Sequence, residues 1–149
     1  MNHKKIYLTA LIIFITDVIT KLIVSNTLLL RQSITIIKNF FYITYTKNTG
    51  VAFSLLNKAK IFIIIITITI IIMLLKYIKN KYINKYEQIA YGLILGGALG
   101  NLLDRLVYGS VIDFLDFKIF NYDYPIFNIA DTGIVIGVII IIITSIKRK

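Results

Sequence analysis

Two aspartates are the residues of this chain best suited to chemistry. Asp113 lies in VIDFL and Asp131 closes FNIAD, each in apolar company that raises a carboxyl pKa. The 149 residues include no cysteine and a single histidine, His3. A thiol nucleophile, a disulfide frame, a His-dependent serine protease and a metal site of several histidines are therefore excluded. No residues stand at metal-ligand spacing, and neither a metal nor a cofactor is expected. What remains for hydrolysis is a carboxyl pair. Two such groups held close cannot both ionise easily, so one pKa rises and the pair shares a proton. The ionised member can take a proton from water. The protonated member can polarise a carbonyl or protonate a leaving amine. The pair titrates as a unit, so the sequence leaves open which aspartate plays which part.

Other polar residues gather around these two. Residues 92–131 carry five of the seven acidic side chains (Asp104, Asp113, Asp116, Asp123 and Asp131) and the only proline, Pro125. Asn101, Asp104 and Arg105 fall near one end of an apolar segment. Asp17 and Lys21 are four apart in another, share a helical face and are expected to pair, with Lys21 snorkelling toward the membrane surface. Asn48, Thr49 and Gly50 read as a tight turn, and a short helix with small Ala52 and Ser54 is expected to follow. Asn128 suits a helix N-cap, with Asp131 three residues on near the capping-box position, so Asp131 has a structural reading too. Asp116 and Asp123 read as solvated turn residues.

The elements that must position these groups are membrane spans. The chain is 58% apolar, and its mean hydropathy of +0.83 is too high for an ordinary soluble domain. The spacing predicts an all-α membrane protein, one domain over 1–149, with spans at about 6–24, 61–77, 88–107 and 129–146. The net charge of +10 includes three basic clusters that flank the spans. Lys4 and Lys5, then Lys76, Lys79, Lys81 and Lys85, then Lys147, Arg148 and Lys149 place both termini in the cytoplasm by the positive-inside rule. Because these residues flank spans, no nucleic-acid partner is expected. Both long connections are then external, and the polar residues converge near the outer leaflet. ITIIKNFFYITYT reads as one or two interfacial strands, with Phe40, Phe41, Tyr42 and Tyr45 in the headgroup zone. Gly92, Gly96 and Gly100 form one small-residue face. With Gly133 and Gly137 they predict close packing of spans three and four. Intramembrane Asp and Lys also mark ion paths, which keeps a transporter or channel subunit as a rival. No acidic residue falls in the inner half of spans two to four, which counts against it. A non-catalytic assembly protein using the glycine faces is a further alternative.

The motifs together resemble those of the lipoprotein signal peptidases (signal peptidase II). The resemblance covers essentially the whole chain. It runs through Asp17 and Lys21, NTGVAFSLL at 48–56, GGALGNLLDRLVYGSVIDFLDF at 96–117 and FNIAD at 127–131. It implies an aspartic endopeptidase whose catalytic pair falls on Asp113 and Asp131. Residues around the site fall on Asp17, Lys21, Asn48, Gly50, Ala52, Asn101, Asp104, Arg105, Asn128 and Ala130. It also implies four transmembrane helices with a small extracytoplasmic β-cradle, taken as 34–46, and a short helix starting near Asn48. The implied setting is the bacterial cytoplasmic membrane and its lipid. The implied substrates are diacylglyceryl-modified prolipoproteins, cut N-terminal to the lipidated cysteine, and globomycin-type peptides would be inhibitors.

Overall fold

The computed structural model describes residues 3–50, 56–79, 83–119 and 122–147. Among the described residues, four helices and a small sheet follow one another. They are α1 (Lys4–Thr27), β1 (Ser33–Ile37), β2 (Phe41–Asn48), α2 (Leu56–Lys79), α3 (Lys85–Val107), β3 (Val111–Ile119), β4 (Tyr122–Asp123) and α4 (Ile129–Ile146). The short helix expected to start near Asn48 does not start there, because Asn48 is the last residue of β2; residues 51–55 lie outside the described residues. Three helical stretches are long and apolar enough to cross a membrane: Lys4–Thr27, Lys60–Lys79 and Ile129–Ile146. Their outward side chains, such as Leu11, Ile65, Met73 and Ile143, are apolar and exposed, as lipid-facing positions require. α3 is of similar length, but glycines and the Asn101–Arg105 polar group dilute its apolar character. It begins at Lys85, earlier than expected, because Asn84 and Glu87 form a reciprocal capping box.

α3 is the helix on which the other three pack. The glycines make this possible, though not only in the expected pairing. Gly92 and Gly96 face α1: a Cβ on Gly96 would lie 2.5 Å from the Ala10 carbonyl oxygen, and one on Gly92 2.6 Å from that of Ile6. Gly100 lies against the Asp17 carboxylate. The α3–α4 contact uses Gly97 against the Ala130 carbonyl and Gly137 against that of Ala90. One helix thus carries two small-residue faces, and helix backbones approach on both sides.

The sheet is antiparallel, in the order β1-β2-β3-β4. Where one or two strands are expected near 34–46 there are two, β1 and β2, and β3 and β4 extend them. β3 begins with four buried residues, Val111 to Phe114, so it lacks the alternation that marks a half-buried strand. Tyr45 is not in a headgroup belt: it is buried with Val24, Leu28, Ile112 and Phe114. Asp116 is partly buried on β3, accepting from Thr44 Oγ1 at 2.6 Å, rather than fully solvated. Asp123 is exposed and pairs with Lys118 at 3.3 Å.

Between Ile43↔Leu115 and Thr46↔Asp113, β2 advances three residues while β3 advances two. This bulge reverses which face the end of β2 presents. Asn48 consequently pairs with Val111 and lies on the same face as Asp113, its diagonal neighbour. Without the extra residue Asn48 would point to the opposite face.

Gly96→Val places branched carbons where the α1 backbone lies. The expected result is a loss of about 1–3 kcal/mol or more, read as a lower thermal midpoint in detergent. An unchanged midpoint would mean that α1 does not pack this closely.

Candidate active site between helices and sheet

Asp113 and Asp131 are brought to one place by different elements. Asp113 sits near the start of β3 and is 2% exposed. Gly109, at φ +76°, lets the chain turn from the end of α3 into that strand, and its positive φ suits glycine. Asp131 lies in the first turn of α4. The strand and the helix start are tied just before it: Leu115 N–H donates to Phe127 O at 2.8 Å, and Phe127 N–H donates back at 3.1 Å.

Two asparagine amides join the aspartates. Asn128 is fully buried, and its Oδ1 caps α4 by accepting from the Asp131 N–H at 2.9 Å. Its Nδ2 donates to Asp113 Oδ1 at 2.7 Å, with longer contacts to Asn101 Oδ1 at 3.2 Å and Ile112 O at 3.3 Å. Asn101 Nδ2 donates to Asp131 Oδ1 at 2.7 Å. From β2, Asn48 Nδ2 donates to Asp113 Oδ2 at 3.0 Å, while Asn48 Oδ1 accepts from the Gly50 N–H at 2.8 Å. Gly50 has φ +76°. Its turn conformation aligns the Asn48 side chain.

Behind the amides is an ion cluster. Lys21 Nζ lies 2.7 Å from Asp17 Oδ2, 3.1 Å from Asp104 Oδ2 and 3.1 Å from Asn101 Oδ1. The expected Asp17–Lys21 pair is therefore present. Lys21 does not snorkel: it is only 2% exposed, because three acceptors inside the bundle satisfy it. Asp104 pairs with Lys21 rather than with its neighbour Arg105, and its Oδ2 also accepts from the Ile112 N–H at 2.9 Å. Asp17 Oδ1 accepts from the Ala130 N–H at 2.9 Å. Arg105, partly buried, donates to the Asn101 carbonyl at 3.2 Å. Of the twelve residues that the sequence assigns to the site, Ala52 falls outside the described residues. The other eleven form one connected network.

Two open grooves flank this network. One, about 680 Å³, is apolar and is lined by Phe40, Phe117, Tyr124, Phe127, Val135 and Ile136, with Asp131 at its edge. The other, about 640 Å³, is more polar and is lined by Thr46, Lys47, Asn48, Gly50 and Asp113. Pro125 and Ile126 border both. The groove aromatics were not legible as a site. Phe41 stacks on Phe117 at 4.5 Å between centroids, and Phe117 on Phe127 at 5.7 Å, but only strand pairing brings them together.

Burial pushes the Asp113 carboxyl up from an ordinary 3.8 to about 6. The Asn48 hydrogen bond opposes this, the Asp131 charge adds to it, and Asn128 and Lys21 oppose it. Asp131→Asn is therefore expected to lower the Asp113 pKa, and Asn48→Ala to raise it above about 6. A pH titration of ¹³Cγ-labelled aspartate signals checks both directions. Because the folded pKa is the raised one, the stability held by neutral Asp113 is complete below 3.8 and lost as pH rises through about 6.

The family model described as "Signal peptidase (SPase) II" matches residues 9–147. The lipoprotein signal peptidase of Staphylococcus haemolyticus is 46% identical over 150 residues, covering 97% of this chain and 95% of the relative. That of Staphylococcus aureus strain JH9 is 43% identical, with 97% and 93% covered. Two solved structures described as bacterial membrane enzymes also match. One has TM-score 0.84 and 44% identity, covering 94% of this chain and 86% of the other. The second has TM-score 0.88 and 43% identity, covering 95% and 92%. Helices apolar enough to span a bilayer, a small antiparallel sheet and near full-length similarity all agree: this chain is a membrane protein belonging to the signal peptidase II family.

Proposed function

We propose that the protein is an aspartic endopeptidase of the bacterial cytoplasmic membrane. It removes signal peptides from diacylglyceryl-modified prolipoproteins by cutting N-terminal to the lipidated cysteine. The observation that carries this reading is the placement of Asp113 and Asp131. Two amides that themselves touch, Asn128 and Asn101, each donate to one of the two carboxyls. The carboxyls border two grooves that share Pro125 and Ile126.

The chemistry follows from a carboxyl pair holding one proton. The ionised carboxylate accepts a proton from water as the water oxygen attacks the scissile carbonyl carbon. The protonated partner donates to the carbonyl oxygen. Collapse of the tetrahedral intermediate breaks the C–N bond, and a proton goes to the departing amine of the lipidated cysteine. The apolar groove suits hydrocarbon or an apolar signal sequence, and the more polar groove suits the peptide backbone beyond the cut. Asn48 holds the Asp113 carboxylate on the polar side.

The four helices are four spans within a single domain over 1–149, with both termini cytoplasmic. The basic clusters at Lys4–Lys5, at 76–85 and at 147–149 support this orientation. The sheet and the aspartates then lie at the outer leaflet. A lipid-modified substrate can present its scissile bond there while its acyl chains stay in the bilayer. Globomycin-type peptides are expected to occupy the same grooves.

Cleavage of a diacylglyceryl-modified prolipoprotein by purified protein tests the reading. Asp113→Asn and Asp131→Asn should each lower kcat by about 10²–10⁴-fold while the protein stays folded. Normal cleavage by either variant would remove that aspartate from the mechanism.

A further inference from the structure

The ammonium of Lys21 has three hydrogens and three acceptors within reach: Asp17 Oδ2, Asp104 Oδ2 and Asn101 Oδ1. An ammonium accepts no hydrogen bond, so Asn101 can present only its oxygen to it. That turns the Asn101 amide nitrogen onto Asp131 Oδ1. The same Asn101 oxygen accepts from Asn128 Nδ2 at 3.2 Å, which sets the direction of the second amide. Asn128 then gives an N–H to Asp113 Oδ1 and leaves its oxygen to the Asp131 N–H. One fixed charge thus decides the sense of two amides in series.

We propose that Lys21 is a positioning residue for cleavage: through Asn101 it fixes both side-chain amides so that each aspartate faces an amide N–H. The proposal rests on Asp113 and Asp131 being the catalytic pair. Its chemical content concerns the proton that the pair exchanges. A protonated carboxyl can donate, and a freely turning amide could rotate its oxygen to accept that hydrogen. The proton would then be held by the amide instead of reaching the carbonyl or the leaving amine. Lys21 forbids this rotation for Asn101 directly and, through the Asn101 oxygen, for Asn128, whose own oxygen the Asp131 N–H also holds. Balancing the charges of Asp17 and Asp104 is a separate role, and the two can be told apart.

The triple variant Lys21→Met, Asp17→Asn, Asp104→Asn removes the charge cluster. It keeps an acceptor oxygen for the Ala130 N–H and another for the Ile112 N–H. If Lys21 only balanced charge, this variant should cleave normally. The expected result is kcat about 100-fold lower, the scale of losing one oriented donor, with KM little changed and a near-normal melting midpoint. The ¹⁵N-labelled Asn101 side-chain amide should also lose its strongly hydrogen-bonded proton signal. Cleavage near the wild-type rate, or an unchanged amide signal, overturns the proposal. Asn101→Asp decides independently should the triple variant not fold. It keeps an acceptor for Lys21 but turns an oxygen toward Asp131, so cleavage should be lost, and wild-type cleavage would overturn the proposal. The amide signal is read without turnover. If the wild type itself failed to cleave, the peptidase reading would fall, while the signal would still report whether Lys21 sets the amide.

Discussion

A buried ammonium is the constraint on which the rest of this structure depends. Removing a charge from water is costly, and the cost falls only if the surroundings supply matched partners. Lys21 receives them from two helices, α1 and α3. Each partner then holds something else. Asp17 accepts from the backbone at Ala130, Asp104 from that at Ile112, and Asn101 donates to Asp131. Three helices and one strand are therefore pinned to a single point. The glycines of α3 belong to the same constraint, because the Asp17 carboxylate lies against Gly100 and leaves no room for a side chain there.

The sheet complements this anchor from the other side. The β2 bulge brings Asn48 onto the face of Asp113, and the β3–Phe127 hydrogen bonds set the entry of α4 beside it. The carboxyls are thereby supported by hydrogen bonds from β2, α3 and the cap of α4. Such support fixes geometry more tightly than loop residues alone could. Two grooves of contrasting polarity border the carboxyls.

Much of this was legible in the sequence, for physical reasons that can be named. The three helices long and apolar enough to cross a membrane announce themselves by hydropathy. The Asp17–Lys21 spacing announces a pair, and Asn128 announces a cap. The glycines announce close packing but not its direction: Gly92 and Gly96 meet α1, while Gly97 meets α4. Periodicity marks a face without saying which neighbour fills it. The strand at 111–119 gives no such signal, because its first residues are buried on both faces and carry no alternation. Tyr45 is ambiguous in sequence, because an aromatic residue near an apolar helix suits a headgroup zone and a core equally well. The choice of Lys21 over Arg105 as partner to Asp104 is a tertiary fact: adjacent residues on a helix point to different sides, and only the packing of α1 on α3 supplies the lysine.

The i to i+4 placement of Asp17 and Lys21 has a consequence for how the molecule is made. α1 comes first in the chain, and the α3 partners of Lys21 come some eighty residues later. A lone lysine in that first helix would have to enter the bilayer unaccompanied. Here the counter-ion travels on the same helix, one turn away. The segment can enter lipid as a nearly neutral unit and wait there until α3 arrives. A charge arrangement that serves the finished protein thus also suits the order in which a ribosome delivers it.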